Sequence, residues 1–274
     1  MNMKKEIDWQ ADSRSFDRVA EIYDAYRPPY PEELVETILN KSGIPARGKI
    51  LEIGSGTGKA TLPFARRGYE ILCIEPGENL AKVAQDNLRN WPEVYWEIAT
   101  FQDWHVQEQS LDEFDLIISA QAFHWVPKPA GFIKAAKVLK KSGCLAIFWN
   151  MPGVNEGPLF DELQQVYRER APEMDDVKNV EEVIRQREQE LRDNGLFNHV
   201  KVYRFPWTRR YDTRQYLGLM NTFSNHLRMS ETHFANLCQG VAEVVDRHGG
   251  VVDLHYQAVL YMAKVIKQSS HWIE

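Results

Sequence analysis

The sequence predicts an α/β protein: a doubly wound, seven-stranded, mostly parallel sheet with an N-terminal helical cap and a C-terminal helical insert. Three observations lead there. Lys49 to Ile53 reads as a buried strand that runs into Gly54-Ser55-Gly56-Thr57-Gly58, and a helical pattern follows from Lys59 to Arg67. Short apolar runs then alternate with helical patterns up to residue 150, the arrangement that builds parallel βαβ units. The run Cys144 to Trp149 is continuously apolar, as a central parallel strand covered on both faces should be.

Taken in order, residues 1 to about 14 form a polar arm. Phe16, Ala20 and Tyr23 share a face at i, i+4, i+7, which predicts a helix over Phe16 to Tyr26. Arg27-Pro28-Pro29-Tyr30-Pro31 breaks it, and Pro31 suits the first turn of a second helix through Leu39. The second strand, Glu70 to Ile74, ends at Glu75-Pro76-Gly77. An acid at the tip of that strand is placed to accept from both ribose hydroxyls of an adenosine. A helix from Gly77 to Asn90 packs Leu80, Val83, Ala84 and Leu88. The third strand, Val94 to Ile98, leads to Phe101 and Gln102, candidates for stacking, backbone and polar contacts with a base. The fourth, Phe114 to Ser119, runs into Ala120-Gln121-Ala122-Phe123-His124-Trp125-Val126-Pro127 and a helix from Lys128 to Lys140. In a sheet whose order reverses beside the first strand, this stretch faces the ligand crevice.

After Asn150 the texture changes. Helices are expected over Leu159 to Arg170, Asn179 to Asp193, Thr213 to His226 and Glu231 to Arg247, with a break at Pro172 to Asp176. Strands at Phe197 to Trp207 and Val251 to Tyr261 complete the sheet, the last one antiparallel. The chain divides into a ligand-binding core with its cap helix, 14–150, and a helical insert plus the last two strands, 151–274.

The glycine turn excludes two phosphate ligands. A dinucleotide fingerprint needs glycine at position 59, which is Lys59. A P-loop needs a hydroxyl after Gly58-Lys59 and a glycine at 53, and the chain has Ala60 and Ile53. What remains, Glu52-Ile53-Gly54-Ser55-Gly56-Thr57-Gly58, resembles the first motif of class I methyltransferases that use S-adenosylmethionine (SAM). The string Phe16-x-x-x-Ala20-x-x-Tyr23-Asp24-x-x-Arg27-Pro28-x-Tyr30-Pro31 is similar to the opening of the type-11 group related to trans-aconitate methyltransferases, as are Glu75-Pro76 and Gln121-Ala122-Phe123-His124-Trp125. Pro28-Pro29-Tyr30 shares letters with the motif of amino-base methyltransferases, but it precedes the first strand instead of following the fourth.

The resemblance implies a Rossmann-like methyltransferase fold, SAM as cofactor and S-adenosylhomocysteine as product. It implies a cofactor site made of Tyr23, Arg27, Glu52, Gly54, Gly56, Gly58, Glu75, Pro76, Phe101, Gln102, Ala120 and Gln121. His124 is the candidate catalytic base or orienting group, and Tyr30, Arg209, Arg214 and His226 are candidates for the substrate. No metal is expected, since methyl transfer from a sulfonium has a neutral leaving group. The acceptor is expected to be a small molecule, through a carboxylate oxygen or through carbon on a quinone-like compound. A SAM-binding regulatory protein without turnover is the reading from another class. A net charge of −6 and a pI near 5.8 speak against a nucleic-acid partner. Cys73, Cys144 and Cys238 lack metal-ligand spacing, and no signal peptide or membrane-spanning run is read, so a cytoplasmic setting with no membrane partner is expected.

Overall fold

A computed structural model describes residues 16–106, 110–174 and 179–267. The polar arm and the end of the Pro172 to Asp176 break lie outside the described residues. Seven strands form one sheet: β1 (Lys49–Ile53), β2 (Glu70–Glu75), β3 (Val94–Ile98), β4 (Phe114–Ala120), β5 (Leu139–Pro152), β6 (Phe197–Asp212) and β7 (Val251–Val265). Their order is β3-β2-β1-β4-β5-β7-β6. β1 to β5 pair in parallel, and β7 runs antiparallel to both β5 and β6. The order reverses between β1 and β4, which opens a crevice at the carboxyl ends of those strands.

The strand period of two sorts the core. Leu51, Ile53, Ile117, Leu145 and Ile147 face one layer, with Phe132, Ala135, Ile184 and Leu191 from the helices α5 (Ala130–Val138) and α7 (Val180–Asp193). Ile50, Ile71, Leu116, Ile118 and Phe148 face the other, against Leu34, Val35 and Ile38 of α2 (Glu32–Ser42) and Phe64 of α3 (Thr61–Ala65). α3 is shorter than the pattern from Lys59 to Arg67 predicts, because the glycine turn reaches Gly58 and Gly68 turns left-handed at φ 78°. β5 begins earlier than its apolar run. Leu139 pairs with Phe114, Lys140–Gly143 form an excursion, and pairing resumes at Cys144 with Leu116.

β6 and β7 form a long ribbon, paired from Phe197 and Val265 to Asp212 and Val251. It runs past the end of β5, whose pairing with β7 stops at Pro152 and Tyr256. At its tip sit α8 (Thr213–Met220), α9 (Ser224–Leu227) and α10 (Glu231–Arg247). With α6 (Pro158–Arg170) they build a third core around Leu163, Met220, Leu237, Val241 and Val245. Asp212 and Gln215 close a capping box that starts α8. The single helix expected over Thr213 to His226 is split, because Thr222 turns its hydroxyl back onto the Leu219 carbonyl (2.6 Å) and Phe223 is extended. No helix of the described residues is long and apolar enough to cross a membrane.

The cap helix α1 (Ala20–Tyr26) lies across the crevice. Gly218 of α8 leaves room for the Tyr26 ring, which a Cβ there would meet at 2.5 Å. Asp17 accepts from the amides of Asn79 and Leu80, at 2.8 and 3.1 Å, and so caps α4 (Glu78–Asn87) from a distance.

Candidate active site

The three glycines of the turn serve three purposes. All have positive φ: 70° at Gly54, 55° at Gly56 and 82° at Gly58. A Cβ on Gly54 would come within 2.4 Å of the Ala122 Cβ, so this glycine lets the turn close on the tip of β4. A Cβ on Gly58 would strike Leu88 at 2.5 Å, so it admits α4. Around Gly56 a Cβ would meet nothing within 4 Å. Gly56 therefore faces open cavity. Gly58 lines no part of it, and its expected cofactor contact gives way to helix packing.

The cavity holds about 270 Å³. Following the strand order, Pro76, Leu80, Phe101 and Gln102 border one side, Gly56 and Glu75 the middle, and Ala120 and Gln121 the other, with Tyr23 and Arg27 of the cap. His124 and Ser224 also line it. A smaller lobe of about 30 Å³ shares Tyr23, Arg27, Gly54 and Gln121 and adds Tyr30, Ser55, Thr57 and Lys59. Gln121 sits in the left-handed region at φ 59°, a costly conformation for a residue with a side chain, and its amide bonds to the Phe148 carbonyl at 2.9 Å.

Glu75 is 4% exposed. Its two oxygens accept from the amides of Gly56 (2.8 Å) and Gly77 (2.9 Å), and each keeps a second lone pair. Burial pushes its pKa to about 7, against the pull of those two amides. Glu52 is fully buried and its pKa stands at about 8, raised by burial and by Glu75 and held down by Thr61. The strand period turns Glu52 beneath α3, where one oxygen accepts from the Thr61 hydroxyl at 2.7 Å and the other has no partner among the described residues. Glu52 therefore lies under the turn, not in the cavity wall.

The cap is fastened on several sides. Arg27 donates to the Thr222 carbonyl (2.6 Å) and faces the rings of Tyr23 and Phe223 at 5.3 and 4.7 Å. Its Nε is buried without a partner among the described residues. Lys59 reaches Asp24, with Nζ 3.4 Å from the carboxylate. Burial raises the pKa of Tyr23 and, further, of Tyr30, so both phenols are neutral donors.

His124 is exposed on a short turn after β4. Trp149 donates its indole N–H to His124 Nδ1 at 3.2 Å. That bond puts the ring proton on Nε2 and occupies the lone pair a general base would use.

Four expected substrate residues fall in different places. Tyr30 borders only the small lobe and packs edge-on against Phe148, centroids 4.8 Å apart. Arg209 backs the cap through the Arg27 carbonyl (3.2 Å) and lies over Tyr211. Arg214 is exposed on α8 and lines neither cavity. His226 is 4% exposed inside the insert, with Nδ1 bonded to the Met220 carbonyl (2.8 Å) and Nε2 to the Tyr167 hydroxyl (3.2 Å). Both ring nitrogens are used, which removes His226 from a substrate role. Phe101 borders the cavity, and its ring stacks on Trp104 in the core, centroids 6.0 Å apart. The wall residue Ser224 is missed by the sequence, since it reaches the cavity only because the helix breaks before it.

Residues 51–147 match the family described as a methyltransferase domain. An uncharacterized methyltransferase of Mycobacterium bovis is 29% identical over 138 residues, 50% of this chain and 53% of that protein, so the chain spans about half the length of this relative. A candidate type II methyltransferase of Anaeromyxobacter dehalogenans superimposes with a TM-score of 0.63 at 19% identity, over 89% of this chain and 100% of that one. Phosphoethanolamine N-methyltransferase 2 of Haemonchus contortus, solved with S-adenosyl-L-methionine, does so at 0.52 and 16%, over 96% of this chain and 59% of that one. Residues 51–147 thus match a methyltransferase domain in sequence, and the fold is the one seen in these solved methyltransferases.

Proposed function

We propose that the chain is a SAM-dependent methyltransferase acting on a small molecule, and that it methylates a carboxylate oxygen. Three features of the cavity fit the donor. Gly56 leaves open space where any side chain would intrude. Glu75 offers two buried oxygens to ribose hydroxyls. The guanidinium of Arg27, which borders both cavities, suits the methionine carboxylate. When bound, SAM supplies an electrophilic methyl group on a sulfonium.

The chain's own residues align and shield. Glu75 would hold the ribose hydroxyls, Ala120 and Gln121 would border the rest of the donor, and Tyr23 and Arg27 of the cap would help to align it, so that orientation can contribute roughly 7–11 kcal/mol to the barrier reduction. The observation that carries the acceptor class is the bond from Trp149 to His124. It takes the lone pair of the neutral ring, so the site suits an acceptor that is already anionic over one that must first lose a proton. A carboxylate is ionised at neutral pH and needs no base. The surroundings agree: Arg27, Arg209 and Lys59 converge near the cap, and Asp24 is the carboxylate bonded to one of them among the described residues.

The test is transfer of labelled methyl from SAM to a panel of small carboxylic acids, phenols, quinols and amines. Label is expected in an acid, in a form released by mild alkali as methanol. Alkali-stable label would overturn the ester assignment, and SAM binding without transfer to any panel would overturn turnover.

A further inference from the structure

Lys134 lies on α5, on no wall of either cavity. Its ammonium donates to three main-chain carbonyls of one turn: Phe101 at 2.9 Å, Gln102 at 2.7 Å and Trp104 at 2.7 Å. It also faces the rings of Phe101 and Trp104, at 5.5 and 6.0 Å. An ammonium has three N–H donors, and this turn takes all of them.

The amides of the turn go elsewhere. Those of Asp103 and Trp104 bond back to the Thr100 carbonyl, at 3.1 and 2.8 Å. Those of Phe101 and Gln102 have no partner among the described residues. A peptide unit is planar and trans, so its C=O and N–H point in opposite directions. With the Phe101 carbonyl drawn onto Lys134, the Gln102 amide is turned away from it. Thr100, Phe101 and Gln102 all border the cavity.

We propose that Lys134 is a positioning residue for the donor's base: it fixes the turn after β3 so that the Gln102 amide reads adenine and rejects hypoxanthine. The proposal rests on the reading that this cavity holds SAM. The chemistry is one of donor against acceptor. Adenine N1 is an acceptor and matches a fixed N–H. Hypoxanthine carries a proton on N1, which sets two donors face to face and leaves the amide unpaired. Once the ammonium is gone, the peptide between Phe101 and Gln102 is free to reorient, and the turn accommodates either base.

The test is calorimetric titration of S-adenosylhomocysteine and its hypoxanthine counterpart, S-inosylhomocysteine, into wild type, K134M and K134R, with melting temperature recorded alongside. Wild type is expected to prefer the adenine compound by at least about tenfold. In K134M the ratio should fall toward one. K134R keeps the charge on a rigid fork that cannot serve three carbonyls from one nitrogen, and should lie between. Should K134M fail to fold, K134Q carries the same comparison. A wild-type ratio retained in the neutral variant overturns the proposal, whatever happens to absolute affinity or melting temperature, since a purely structural role would move only those. Wild type that binds neither compound refutes the donor reading of the cavity, and the proposal with it.

Discussion

The amide of Gly56 donates to the carboxylate of Glu75 across 2.8 Å, so the glycine turn after β1 and the tip of β2 are one hydrogen-bonded unit. The second oxygen of Glu75 is held by the Gly77 amide. The carboxylate is thus oriented before any ligand arrives, which lowers the ordering cost of binding. The same enclosure raises its pKa to about 7, so the group that best suits two ribose hydroxyls is only half ionised near neutrality.

Substitution at Gly56 should separate binding from folding. Its position is open, so Gly56→Ala meets no atom but carries the strain of a side chain at φ 55°, roughly 1–2 kcal/mol. Gly56→Val adds bulk into the ligand's space. We expect the alanine variant to melt a few degrees lower and bind SAM weakly, and the valine variant to stay folded without measurable binding. Titration showing wild-type affinity in a folded Gly56→Val would remove the donor from this turn.

Glu75 gives a pH dependence of defined sign. Its folded pKa of about 7 lies above the ordinary 4.5, and that of Glu52, about 8, does too. The ligand-free fold therefore holds more protons than the unfolded chain between those values, and the contribution of these groups to stability falls as pH rises from about 4.5 to 8. Binding works the other way, because ribose hydroxyls favour the carboxylate. SAM affinity should rise from pH 6 to pH 8 with release of a proton, visible as a buffer-dependent binding enthalpy. Glu75→Gln should cost roughly 1.5–3 kcal/mol of affinity at pH 8 and flatten the profile. An unchanged slope in that variant would assign the proton elsewhere.

Much of this was legible in the residues. Period and turn chemistry place β1, β3 and α10 to the residue, because each has a clean pattern and a firm stop, such as Gly54 after Ile53 or Ser230 before Glu231. The donor end of the site follows from topology, since a strand order that reverses beside β1 must bring Gly56, Glu75 and Gln121 to one crevice. What resisted prediction depends on which way a side chain points. Glu52 and Gly58 belong to the motif by sequence, yet one turns under α3 and the other admits Leu88. His226 looks free in the sequence and is sealed by Tyr167, 59 residues away. Lys134 is one basic residue on an amphipathic helix until the fold sets it against the turn after β3.

The pairing of Trp149 with His124 separates an orienting histidine from a base. If Nδ1 is occupied, His124→Gln, which keeps an N–H donor, should retain more activity than His124→Ala, with losses of roughly ten- and a hundredfold in kcat. Trp149→Phe should release the ring and lower kcat while leaving SAM affinity near wild type. The rate should show no basic-limb requirement for a neutral histidine, so kcat should stay flat across the histidine range. A rate that rises with an apparent pKa near 6.5 and vanishes in His124→Gln would restore the general base and, with it, a hydroxyl or carbon acceptor.

His226 offers the opposite pH signature to Glu75. Burial lowers its pKa below the ordinary 6.5, the Met220 carbonyl opposes that shift, and the nearby Arg27 adds to it. The unfolded chain therefore takes up a proton before the native insert does. The stabilisation from neutral His226 is complete above pH 6.5 and is lost as pH falls below it. His226→Gln breaks the bridge between Met220 and Tyr167 and should cost about 1–3 kcal/mol at pH 7.5. At pH 5 wild type has lost part of that advantage, so the gap between the two melting temperatures should narrow. SAM affinity at pH 7.5 should change little, because His226 lines no part of the cavity. A gap that stays constant from pH 7.5 to 5 would mean that the histidine does not titrate differently in the folded insert, and a large loss of SAM affinity would return it to the site.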